Sequence, residues 1–274
     1  MKVGLIGTHD SAAGILAHQL GTYAPETIEA SLVEPTKPWH IPGRFRDLRF
    51  DIVHGIGAWG AWATLPWFKL KNADTKAILH FVGTDAVLYS ERSLVTWKWM
   101  PSIRCADLVL FCGEHLRQMT HIKGEVWPLP VTDGLFRDEP DRKPERDILY
   151  YCGLGPGIYR LKDFTTYARE HPQTTFTLLI RDPRDLGGFE IPPNVDVATG
   201  VRHDEMPRLY RAHRKMMRWT IHDGVPKMVY EAVLCGLEVD FNGRSITSVP
   251  DEMLASKAIP KLVKMYERLL ACAT

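Results

Sequence analysis

Asp223 and Glu231, with seven residues between them, are the side chains of this sequence best placed to do chemistry. They lie in residues 216–243, MMRWTIHDGVPKMVYEAVLCGLEVDFNG. There an apolar run leads into His222-Asp223-Gly224, Pro226 opens a helix carrying Glu231, and Cys235-Gly236 closes it before a second apolar run. Proline near the first helical position and glycine just past the last suit helix ends, so the stretch predicts strand, loop, helix, strand. Such a loop sits at the carboxyl edge of a parallel sheet, where α/β proteins bind ligands and where the N–H groups of a helix N-terminus favour anions. A second signal comes earlier: a strand over 148–152, then Gly153-Leu154-Gly155-Pro156-Gly157, then a helix opened by Tyr159-Arg160-Leu161-Lys162-Asp163. Glycines let backbone approach a phosphate, and Arg160 with Lys162 would set two cations at a helix N-terminus. The alternative for this loop is an ordinary turn with two solvated cations.

Parallel sheets are needed to hold these groups. Apolar runs at 2–6, 28–33, 50–54, 77–82 and 107–111, and again at 148–152, 175–180, 194–198 and 216–220, alternate with segments of helix length. That alternation argues for βαβ units over an antiparallel sheet. Arg181 and the loop Gly200-Val201-Arg202-His203 follow two of the strands directly. Residues 137–147, RDEPDRKPERD, are charged and nearly free of apolar side chains, which predicts a linker. The aromatic stretch 55–68, with Lys69, Lys71 and Lys76 behind it, has roughly helical spacing and reads mainly as packing. Stacking on sugars, or contact with a membrane or a single strand, is the other reading. Arg208, Arg211, Arg214, Lys215 and Arg218 read as a basic stripe.

The segment from Asp223 through Glu231-Ala232-Val233-Leu234-Cys235-Gly236 resembles the acidic-x7-Glu segment of retaining glycosyltransferases with the GT-B fold, family 4-like. The family's first residue is Glu; here Asp223 is one methylene shorter. The resemblance implies an α/β protein of two Rossmann-like parallel-sheet domains facing across a cleft. It also implies transfer of a sugar from a nucleoside-diphosphate sugar to an acceptor hydroxyl, with retention. Glu231 would hold the donor ribose, with Asp223 and Gly224 beside the donor sugar. Lys162 matches the family's diphosphate-binding Lys. The Arg expected after Gly153 is Leu154, and Arg160 or Arg181 is the substitute, with Arg202 also on the donor side. In the first half, 78–85 (ILHFVGTD) resembles the family's strand and Gly-x-Asp loop, so His80 and Asp85 join Asp223 as the catalytic set. The loop Gly7-Thr8-His9 would approach donor phosphate or acceptor, a plain tight turn being the equal alternative, while His54 reads as a packing histidine. The resemblance implies no metal and no cofactor beyond the donor substrate. A nucleotide-sugar epimerase of the same fold is the rival enzyme, and a degenerate fold binding nucleic acid or membrane the non-enzymatic rival.

The expected organisation is an acceptor-side domain over 1–136, a nucleotide-sugar domain over 147–255, and a closing helix over 256–274. Lys plus Arg number 34 and Asp plus Glu 33, so net charge makes no case for nucleic acid, which is not expected as a partner. The acceptor could be a glycan, lipid or protein. No apolar run approaches the ~20 residues that span a bilayer, so the expected location is cytoplasmic, with peripheral contact at a membrane left open. Five cysteines lack paired CxxC spacing and read as reduced core residues.

Overall fold

The computed structural model describes residues 1–8, 11–34, 45, 47–91, 94–139, 141–152, 157–221 and 226–271. Two compact units emerge: Met1–Pro130 with Ala255–Thr274, and Val131–Leu254.

The first unit holds six parallel strands, β1 Lys2–Ile6, β2 Glu29–Val33, β3 Ile52–Ile56, β4 Lys76–Phe81, β5 Leu108–Phe111 and β6 Glu125–Val126, in the order β2-β1-β3-β4-β5-β6. β3 is buried along its whole length and β4 nearly so, as expected of central strands covered on both faces. One face packs on Phe45, Leu65, Phe68 and Trp99. The other packs on Leu16 and Leu20 of the helix Ala12–Tyr23 and on Ile259, Leu262 and Tyr266 of the helix Ala255–Ala271. Ser11 caps the former, its Oγ accepting from Ala13 N–H at 3.2 Å.

The second unit's sheet runs β12-β11-β10-β7-β8-β9, with β7 Arg146–Tyr151, β8 Phe176–Ile180, β9 Val195–Thr199, β10 His213–Arg218, β11 Glu238–Phe241 and β12 Arg244–Ile246. All pairings are parallel except β11 with β12, a hairpin edge absent from the sequence reading. β7, β8 and β9 build outward in one direction; β10 then pairs on the opposite side of β7. The chain therefore reverses between β7 and β10, and ligand crevices in open α/β sheets form outside the carboxyl ends of strands at such a switch point.

Two expectations change. The first strand of the Asp223 motif starts at His213 rather than Met216, because His213 is buried: its Nε2 lies 2.7 Å from Thr177 Oγ1 and its Nδ1 2.7 Å from the Leu209 carbonyl. The basic stripe consequently splits between a helix, Met206–Arg211, and strand β10, where Arg214 near the start is exposed and Arg218 at the end is buried. The charged segment after Phe136 is also not a free tether. Arg142 donates to the carbonyls of His213 and Gly236, at 2.7 Å each, and Arg211 bonds the Arg137 carbonyl and pairs with Glu139.

Candidate functional site

The helix Lys227–Leu234 positions Glu231. Pro226 caps its start in extended conformation. At its end Gly236 N–H bonds the Val233 carbonyl and Leu237 N–H the Ala232 carbonyl, the paired bonds of a Schellman ending, with Gly236 at φ +78°. Val229 and Ala232 face the core, and Glu231 is buried with them at 2% exposure.

A buried carboxylate needs partners, and Glu231 has three. Lys227 Nζ, one turn back, donates to Oε1 at 3.0 Å. His203 Nε2, from the loop after β9, is 3.2 Å from the same oxygen. Tyr210 donates its hydroxyl to Oε2 at 3.1 Å. Lys227 Nζ and His203 Nε2 are 3.2 Å apart, and Phe136 meets the His203 ring edge-on at 5.2 Å. Burial pushes the carboxyl up, but the Lys227 charge and the His203 bond outweigh it and bring the group down to about 2. Burial raises the Tyr210 phenol, leaving it a neutral donor.

At the switch point itself stands Arg218, the last residue of β10 and 2% exposed. Its Nη1 donates to the Tyr151 carbonyl at 3.3 Å, and its guanidinium lies over the rings of Tyr151 at 4.8 Å and Tyr159 at 4.5 Å. Sequence reading put Arg218 in a basic stripe; its apolar neighbours Met216 and Met217 are the signal that this cation is buried with the strand.

The expected cations are arranged differently from one another. Arg160, left-handed at φ 45°, caps the helix Leu161–Glu170 and is held by Asp163 at 2.6 Å with its guanidinium 5.8 Å from the Trp219 ring. Lys162, in the first turn, is exposed, as is Arg181 just after β8. Neither makes an ion pair with a described residue in the structure. Arg202 is exposed and engages Asp204 at 3.1 Å. Gly153, Asp223, Gly224 and His9 lie outside the described residues.

In the first unit, Gly7 directly follows β1, where an added Cβ would clash with Ala13 Cβ, and the Thr8 carbonyl accepts from Ser11 Oγ at 2.6 Å. His80 is enclosed: its Nε2 is 3.3 Å from Cys112 Sγ and its ring stacks on His54 at 5.5 Å. His54 Nδ1 lies 2.8 Å from the Tyr266 hydroxyl. Burial lowers the pKa of His80 to about 3 and that of His54 well below the usual range. Asp85 is also enclosed, at 2% exposure. It accepts from the backbone N–H groups of Ala58, Val82, Gly83 and Ala86 at 2.9–3.0 Å, so its carboxylate organises the loop after β4.

No protein-family model and no curated protein sequence matches the chain. Solved structures do. A sucrose-phosphate synthase from Thermosynechococcus elongatus superposes with TM-score 0.67 at 14% identity, covering 98% of this chain and 92% of that one. An α-glucosyltransferase in complex with UDP and a 13-mer DNA gives TM-score 0.65 at 10% identity, over 99% and 93% of the two chains.

The fold is GT-B.

A protein described as a UDP-N-acetylglucosamine 2-epimerase from Listeria monocytogenes is also similar in structure, with TM-score 0.55 at 10% identity over 97% of this chain and 87% of that one. Identities this low carry the fold alone. Among the described residues, no helix is long and apolar enough to cross a membrane.

Proposed function

We propose that this protein is a retaining, metal-independent glycosyltransferase that takes a hexosyl unit from a nucleoside-diphosphate sugar to an acceptor hydroxyl. The observation that carries the reading is the ionised, fully buried Glu231 on the helix that follows the β7/β10 switch point, on a GT-B fold. A carboxylate kept charged away from water is an acceptor for ligand hydroxyls, and Glu231 is assigned to the donor ribose. The departing diphosphate needs positive charge, which Lys162, Arg181, Arg218 and helix N-termini supply without a metal. Asp223 and Gly224 are assigned to the donor sugar, and Gly7 and Thr8 to the acceptor side. Asp85 holds the loop after β4 in shape, and His80 stays assigned to the catalytic set.

UDP is the first nucleotide to test, since the α-glucosyltransferase of like fold is complexed with it. A thermal-shift panel of UDP-, GDP-, ADP- and dTDP-sugars identifies the donor, and NMR of the product anomer tests retention. Undiminished turnover in EDTA tests metal independence. The acceptor is a glycan, lipid or protein hydroxyl. Exposed Leu70 and Trp97 support peripheral contact with a membrane, which vesicle co-sedimentation tests.

A second reading, a nucleotide-sugar 2-epimerase, is favoured by the likeness to the Listeria protein. Incubation with donor alone separates the two: inversion at the second carbon of the sugar marks the epimerase.

A further inference from the structure

Glu231 is crowded in a way that bears on which nucleotides the site accepts. A carboxylate offers about four lone-pair positions, two on each oxygen. Both positions at Oε1 face a nitrogen: Lys227 Nζ at 3.0 Å and His203 Nε2 at 3.2 Å. Whichever tautomer His203 takes, its ring nitrogen occupies that space. One position at Oε2 is filled by the Tyr210 hydroxyl at 3.1 Å, and Tyr210 is completely buried, its ring 6.0 Å from that of Phe136. The described residues thus leave one position open, on Oε2. A ribose held through both its hydroxyls needs two.

Resting on the assignment of Glu231 to the donor ribose, we propose that this carboxylate reads a single ribose hydroxyl, so that the site accepts nucleoside diphosphates lacking the other one, deoxyribonucleotides among them. Lys227, His203 and Tyr210 are then specificity-determining residues, because they set how many hydroxyls the carboxylate counts.

Calorimetric titration of the wild-type protein with UDP, 2′-deoxy-UDP and 3′-deoxy-UDP tests this. Loss of the hydroxyl that is read, a bond to a charged acceptor, weakens binding roughly tenfold or more. Loss of the other leaves affinity within about threefold of UDP, a difference too small for a hydrogen bond to a charged group. If both deletions weaken binding beyond threefold, the proposal is overturned while the donor site stands. If UDP itself does not bind, the donor reading falls and takes the proposal with it. Tyr210→Phe opens a second position at Oε2 and leaves the Lys227 cation in place, so the tolerated analogue should now bind clearly more weakly than UDP. Unchanged tolerance in this variant, or loss of UDP binding by it, counts against the proposal.

Discussion

Lys227 Nζ lies 3.0 Å from Glu231 Oε1 across one turn of a helix, and this contact lets an ionised carboxylate stay inside the second unit. Both groups are largely withdrawn from water, so the pair is poorly screened and loss of the cation leaves a buried charge exposed to its full desolvation cost.

Acid titration should reveal the pair. Glu231 is held at about 2 in the folded protein against an ordinary value of 4.5. A depressed acid contributes stability that is present above the unfolded value and lost as pH falls through the folded one. The window is therefore pH 4.5 down to 2, with a loss of roughly 3 kcal/mol at most. Urea unfolding across that window should show a steeper fall for wild type than for Glu231→Gln; parallel curves would contradict the pairing.

The histidine pair acts in a neighbouring window. His80 is kept neutral by burial, with a folded value of about 3 against 6.5 when unfolded. As pH drops below 6.5 the unfolded chain takes up a proton the folded state refuses, so stability falls, by up to about 1.4 kcal/mol per pH unit for each such group. Replacing His80 by Leu should flatten the dependence of unfolding free energy on pH between 6.5 and 4.5. An unchanged slope would mean that His80 is protonated in the fold.

Asp85→Ala removes the buried acceptor of four backbone N–H groups, two of them, those of Ala58 and Ala86, buried as well. Leaving such donors unpaired costs roughly 2–4 kcal/mol in total, read as a lower urea midpoint. Asp85→Asn should recover part of it. A variant as stable as wild type would show that water replaces the carboxylate.

Gly236→Ala strains the helix ending behind Glu231. The residue sits at φ +78°, and its added Cβ would meet Asp138 Oδ1 at 2.3 Å. A loss of about 1–3 kcal/mol is expected. Gly243 has a similar φ of +77° with nothing within 4 Å, so Gly243→Ala is the control and should cost less.

The central strands of both sheets were legible because parallel strands buried on both faces read as unbroken apolar runs, whereas the hairpin edge β12 was not; the helix ends were legible in Pro226 and Gly236. β10 was misjudged by three residues because His213 spends both ring nitrogens inside the fold, which no local pattern announces. Glu231 and Lys227 share a helix turn and could be paired from spacing. Tyr210 and His203 join them only through packing of separate elements, so the cluster that fixes the charge of Glu231 was out of reach of the sequence. Arg218 was visible as a cation, but its place between Tyr151 and Tyr159 follows from the reversal of strand order between β7 and β10.

Titration of UDP into wild type and Glu231→Ala tests the central claim most directly. Saturable, one-site binding is expected of wild type, and a loss of roughly tenfold or more of the variant, with its fold retained by circular dichroism. Equal affinity in the two proteins would contradict it.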